Sequence, residues 1–81
     1  MFSSNMAQRI VIDSKIMVGK PVIRGTRLTV QYILELLAQG GTPQQIIAEY
    51  PGITQEDIAA CLIFAAQALG NTSFIPSPVG A

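Results

Sequence analysis

The spacing of the apolar side chains changes near residue 29, which divides the chain into an extended part and a helical part. Before this point, RIVID at 9–13 and PVIR at 21–24 are rich in β-branched residues, which is typical of short strands. From Thr29 onward the apolar residues recur at one-turn spacing, which favours amphipathic helices. The pattern predicts a mainly helical domain with a small N-terminal β element of two or three strands.

Three helices are predicted in the second part of the chain. Thr42-Pro43-x-Gln45 has the capping-box pattern, in which the threonine and glutamine side chains satisfy backbone groups of the first turn. Glu56 and Asp57 fall in the first turn of the last helix, where carboxylates interact favourably with the helix dipole. The helices are expected from Thr29 to the Gly40-Gly41 stop, from Thr42 to Tyr50, and from Thr54 to Leu69. A short turn joins the last two, which matches the spacing of a helix-turn-helix.

The predicted third helix contains an uninterrupted apolar run, from Ile58 to Ala66. A helix without a polar face is normally buried on every side. Two short helices and a small sheet cannot enclose it in a domain of this size, so we expect part of it to pack against a second copy in a homodimer. The residues predicted at this interface are Ile58, Leu62, Ile63, Phe64 and Leu69.

The length of 81 residues suits one small domain, predicted at 9–70 between flexible ends at 1–8 and 71–81. Only 12% of the residues are charged and 49% are hydrophobic, which indicates that some apolar surface meets a partner. Phe74 and Ile75 in the tail could make such a contact. No apolar run has the length of a membrane span and no signal peptide is recognisable, so we expect a cytoplasmic protein.

The charged residues are segregated along the chain. Residues 1–27 hold all five basic side chains and one acid, whereas residues 28–81 hold four acids and no base. Three of the bases fall within GKPVIRGTR, at 19–27. This segment is therefore the candidate for binding a partner or a nucleic acid, through Lys20, Arg24 and Arg27.

Gly25-Thr26 is predicted to form a two-residue turn, with glycine at the position that needs a positive φ. Arg24 and Arg27 flank this turn, so their guanidinium groups are expected to project together. In the alternative interpretation the arginines form a solvated rim, or pair with Glu35 or Glu49. The residues predicted to shape the motif are Gly19, Pro21 and Gly25.

Side chains suited to catalysis are scarce. The chain has no histidine to activate a hydroxyl group or to bind zinc, and its one cysteine, Cys61, lies among apolar residues where an inert packed thiol is favoured. Gly19-Lys20 lacks the other residues of a phosphate-binding loop. We therefore expect a protein that is not an enzyme and holds no cofactor or metal.

The order of these motifs resembles domain-of-unknown-function family 433 (DUF433), whose small bacterial and archaeal members are often regarded as similar to the antitoxins of VapBC-type toxin-antitoxin pairs. The resemblance covers residues 9 to about 69 and is most specific in GKPVIRGTR and the helices that follow, up to EYP. It implies a helix-turn-helix or homeodomain-like helical fold preceded by short strands. It also implies a neighbouring toxin with a PIN-like nuclease fold. The motif positions are Gly19, Pro21, Arg24, Gly25 and Arg27.

A functional hypothesis follows when this resemblance is combined with the basic segment. PIN-like nucleases hold metal ions with clustered carboxylates, which Arg24 and Arg27 could neutralise by charge-assisted hydrogen bonds. The same arginines could instead contact operator phosphates, and a homodimer would suit a palindromic operator. We therefore expect a non-catalytic antitoxin-like regulator. The alternative is a homo-oligomeric protein-interaction module without DNA binding.

Overall fold

A computed structural model of the protein describes residues 8–70. Two strands come first, β1 (Ile10–Val11) and β2 (Val22–Ile23), with a short 3-10 turn at Met17–Gly19 between them. Three helices follow: α1 (Val30–Ala38), α2 (Pro43–Glu49) and α3 (Gln55–Gly70). The prediction of a mainly helical domain with three helices and a small N-terminal β element is confirmed. Apart from Gln8, the predicted flexible ends lie outside the described residues.

The two strands pair in antiparallel register, with Ile10 opposite Ile23 and Val11 opposite Val22. Val22 also forms an isolated antiparallel bridge with Thr29, which lies at the start of α1. Both residues of β2 are buried, whereas both residues of β1 are half-buried. β2 is therefore the central element, held by β1 on one side and by the residues that lead into α1 on the other.

The ends of α1 and α2 have the caps that their sequences specify. Thr29 accepts a hydrogen bond from the Tyr32 N–H at the start of α1, and Thr42 and Gln45 form the predicted capping box of α2. α1 ends in a Schellman motif, in which the Gly41 and Gly40 N–H groups donate to the carbonyls of Leu36 and Leu37, each at 3.0 Å. Gly40 has a φ of +99°, which explains the need for glycine at this stop.

One core is shared by the sheet and all three helices. α3 crosses this core with its N-terminal half only, since its last five residues, 66–70, are exposed. Ile53 and Ile58 are 2% and 1% exposed on either side of the α3 start, at the spacing of a hydrophobic staple. The buried cluster contains Ile23, Val30, Ile33, Ile46, Ile53, Ile58 and Cys61.

Within residues 8–70, no helix has the length and hydropathy needed to cross a membrane.

Candidate partner-binding surface

The loop after β2 contains two of the three predicted basic residues, Arg24 and Arg27. The Ile23 N–H donates to the Leu28 carbonyl at 2.9 Å, which closes a loop of four residues, and the Thr26 N–H donates to the Ile23 carbonyl at 3.0 Å. The tight turn within the loop therefore centres on Arg24-Gly25, one residue earlier than the sequence suggested. Gly25 has a φ of +80°, a left-handed conformation that favours glycine at the third residue of this turn.

The side chain of Thr26 explains the position of this turn. Its hydroxyl group donates to the Ile23 carbonyl at 2.8 Å and accepts from the Leu28 N–H at 3.0 Å. Both ends of the loop are therefore tied to one side chain that lies inside it. Arg24 and Arg27 remain on the outside of the loop and are exposed.

Arg24 leans toward the N-terminal strand. Its backbone N–H donates to the Arg9 carbonyl at 2.7 Å, and its Nε–H donates to the Gln8 carbonyl at 2.6 Å. Together with Arg9 it lines a polar depression that reaches Thr54 and Asp57, at the start of α3. One end of the Arg24 guanidinium is therefore anchored, and its terminal nitrogens are available on the surface.

Arg27 lies in a different depression, together with Lys20. Thr29, Tyr32 and Glu35 also line this second depression. Arg24 is absent from it, so the two guanidinium groups, which the sequence led us to expect together, lie in different depressions.

None of the three basic candidates forms an ion pair with a carboxylate within the described part of the chain. All five acidic side chains of the sequence fall between residues 8 and 70, and the one ion pair found there joins Arg9 to Asp57. The alternative pairing with Glu35 or Glu49 is thus not formed. The basic surface, defined as Lys20, Arg24 and Arg27, therefore has no direct ion pair among these residues, although Glu35 lines the same depression as Lys20 and Arg27.

The segment before Lys20 has an unusual backbone. Met17, Val18 and Gly19 all have positive φ, at +49°, +57° and +81°. A left-handed conformation is rare for a β-branched residue such as Val18. The Val18 side chain is 92% exposed, so no burial of this side chain offsets the unfavourable backbone conformation. Gly19 fits this conformation, and Lys20 returns to an extended backbone at φ −74° and ψ 147°. The sequence did not indicate this left-handed turn.

A buried carboxylate joins the β element to α3. Asp57 is 7% exposed; its Oδ1 accepts from Arg9 Nη1 at 3.0 Å, and its Oδ2 accepts from the Thr54 N–H at 2.9 Å. The Asp57 N–H donates to the Thr54 hydroxyl at 3.3 Å, so the two residues form a capping box. The position of Asp57 in the first turn of the last helix was predicted, but the ion pair with Arg9 was not, because the partners are 48 positions apart.

The residues predicted at the oligomer interface lie on different faces of α3. Ile58 is 1% exposed and belongs to the domain's own core. Leu62 and Leu69 are 50% and 64% exposed, and Ile63 and Phe64 are half-buried. An oligomer interface on α3 would thus have to involve the C-terminal half of this helix.

Two titratable groups, Cys61 in the core and Tyr50, have raised pKa values. Burial, and to a smaller extent the nearby Asp57 carboxylate, raise the pKa of the Cys61 thiol to about 12. The Tyr32 and Tyr50 hydroxyls are hydrogen-bonded at 2.5 Å, and this bond is the main cause of a raised pKa at Tyr50. Within residues 8–70, no group of three His, Cys, Asp or Glu side chains is placed to hold a metal ion.

Comparison with known proteins places the motif in a family. A family model described as "Protein of unknown function (DUF433)" matches residues 10–65. A crystal structure of a DUF433 member from Anabaena variabilis is similar to this chain with a TM-score of 0.70 and 33% sequence identity, over 78% of this chain and 63% of that one.

A second relative is an uncharacterised protein of Archaeoglobus fulgidus, which is 70% identical over 23 residues. The match covers 28% of this chain and 64% of the relative. The chain thus spans slightly less than two thirds of the length of each of these proteins.

Proposed function

Because this chain belongs to DUF433, a family of unknown function, we propose its role from the geometry: it is a non-catalytic, antitoxin-like regulator that binds a PIN-like nuclease through the basic surface. The observation that carries the proposal is the charge of this surface. Lys20, Arg24 and Arg27 have no carboxylate partner in residues 8–70, although every acidic side chain of the sequence lies in that range. A partner's carboxylates would supply the missing counter-charge.

Arginine is well suited to this task. Its planar guanidinium group forms two parallel hydrogen bonds with a carboxylate, and such charge-assisted bonds are roughly twice as strong as neutral ones. A nuclease that holds metal ions with clustered carboxylates presents such acceptors at its active site. Arg24 is anchored by its Nε–H to the Gln8 carbonyl, so less side-chain freedom is lost when its terminal nitrogens bind.

Operator DNA is the second target proposed for the same surface, since arginine and lysine also contact phosphates. The start of α3 is unsuited to this role, because Gln55, Glu56 and Asp57 occupy its first turn and Glu56 is exposed. We therefore assign DNA contacts, like toxin contacts, to the basic surface. One copy of this surface cannot bind both targets at once.

The experiment is a tagged purification from the native cell, followed by mass analysis of any small protein recovered in stoichiometric amount. The partner is then purified and its nuclease activity is titrated with the wild-type chain and with the R24A/R27A variant. We expect inhibition by the wild type and loss of inhibition in the variant. Lys15→Ala is the matched control, because Lys15 is an exposed basic residue outside the loop. Equal inhibition by the double variant and by K15A would refute the assignment.

One observation favours the alternative, a homo-oligomeric interaction module without DNA binding. The C-terminal half of α3 exposes Leu62 and Leu69 on a helix that has few polar residues. Salt dependence separates the two functions. Phosphate binding weakens steeply as the salt concentration rises, whereas apolar association through α3 does not.

A further inference from the structure

An apolar groove lies between α1 and the C-terminal half of α3. It has a volume of about 450 Å³, and all of the accessible surface that lines it is apolar. Leu34 and Ala38 line it from α1, and Phe64, Ala65 and Ala68 line it from α3. It borders the depression of Lys20 and Arg27, with which it shares Gln31 and Glu35, but it contains none of the three basic side chains.

This groove continues the chain's own core. Cys61, Phe64, Ala65 and Ala68 are spaced at three and four residues, so they form one stripe along α3. The stripe is fully buried at Cys61, half-buried at Phe64 and Ala65, and exposed at Ala68. The core-facing side of α3 is therefore progressively uncovered over the two turns that follow Cys61.

We propose that the segment that follows α3, residues 71–81, folds back into this groove and completes the core, with Phe74 as its anchor. α3 ends at Gly70, only two residues after Ala68. At 1.5 Å per residue, Phe64 lies about 9 Å back along the helix from Gly70. Four extended residues reach about 13 Å, so Phe74 can return to the level of Phe64.

The sequence of this segment fits the groove. Phe74 and Ile75 are its two largest apolar side chains, and small alanines at positions 38, 65 and 68 leave room for an aromatic ring. Gly70-Asn71 provides the two residue types that most readily reverse the chain after a helix. A proline at position 76 disfavours the helical conformation for the residue before it, so the sequence does not favour a resumed helix at that point.

The groove is better matched to this segment than to a second copy. A covalently attached segment is present at a millimolar effective concentration, which a separate chain reaches only at very high protein concentration. The other exposed face of α3, lined by Leu62, Ile63 and Ala66, remains open to a second copy. The inference therefore does not depend on the proposed regulatory function.

The test uses tryptophan fluorescence of the full chain, which contains no tryptophan of its own. In the Phe74→Trp variant we expect emission shifted to the blue and weakened iodide quenching, relative to a Val79→Trp variant. A second substitution in the groove, Ala68→Glu, should return both properties to those of exposed tryptophan. Ala66→Glu is the matched control: it adds the same charge at an exposed alanine on the opposite face and should leave the emission unchanged.

Three outcomes would overturn the proposal. Solvent-like emission in F74W means that the segment does not dock. An equal response to A68E and A66E means that Phe74 is buried elsewhere. Loss of the blue shift on dilution means that the groove is filled by the segment of a second copy. Circular dichroism of each variant checks that the helices are intact, and none of these results bears on the basic surface.

Discussion

Replacing Asp57 with alanine tests the connection between the β element and α3. The substitution removes the acceptor of two hydrogen bonds, one from Arg9 Nη1 at 3.0 Å and one from the Thr54 N–H at 2.9 Å. It also leaves the Arg9 guanidinium without its counter-ion. The Nε of Arg9 is already buried without a hydrogen-bond partner among the described residues. The substitution therefore removes a hydrogen bond from a side chain that already has one unpaired N–H group.

The expected cost follows from these contacts. A helix-capping interaction contributes about 1 kcal/mol, and a hydrogen bond to a charged group contributes about 1.5–3 kcal/mol. The Arg9 side chain is 35% exposed, so water screens part of the ion pair and the lower end of the second range applies. We therefore expect D57A to lower the free energy of unfolding by about 2.5 kcal/mol. For a domain of this size that corresponds to a fall in Tm of about 10–20 °C.

Urea denaturation monitored by circular dichroism measures this loss. Glu56→Ala is the matched control, since Glu56 is the neighbouring carboxylate in the same helical turn but is exposed. It loses only the interaction with the helix dipole, which contributes about 0.3–1 kcal/mol. If D57A and E56A destabilise the protein equally, the buried ion pair does not hold the β element to α3. A double-mutant cycle with Arg9→Ala then isolates the coupling between the two side chains.

Two further predictions concern Cys61 and Val18. The neutral Cys61 thiol is favoured in the fold, so its contribution to stability is complete below the unfolded pKa near 9 and is lost as the pH rises toward about 12. Alkaline urea titrations should show an extra slope of up to about 1.4 kcal/mol per pH unit, absent in Cys61→Ala; equal slopes would contradict this. Val18→Asn should stabilise the protein by about 1 kcal/mol, because asparagine tolerates the left-handed conformation. Ile12→Asn, an exposed substitution at a residue without positive φ, should bring no such gain in the same thermal melts.

Local signals were sufficient for most of the helical framework. Each cap joins residues three positions apart, as at Thr42 and Gln45, so the sequence alone places the partners. The Gly40-Gly41 stop is local in the same sense. The ion pair of Arg9 with Asp57 is a tertiary contact, and no local or periodic pattern in the sequence predicts it.

The buried face of α3 could not be predicted from the sequence, for a different reason. Every position from Ile58 to Ala66 is apolar, so the sequence does not indicate which face meets the core. The structure resolves this by burying Ile58 and Cys61 and exposing Leu62. At Val18, the intrinsic preference of a β-branched residue for extended backbone pointed away from the conformation found. The chain reversal between the strands imposes that conformation.

The separation of Arg9 from Asp57 also has a consequence for the order of events during synthesis. At about 5–20 residues per second, the ribosome needs roughly 2–10 s to add the 48 positions between them. The first strand is therefore translated well before the carboxylate that holds it. β1 is only two residues long, a length that limits edge-to-edge pairing with other nascent chains during this interval. We expect the N-terminal segment to become protected from proteolysis only in nascent chains that extend beyond α3.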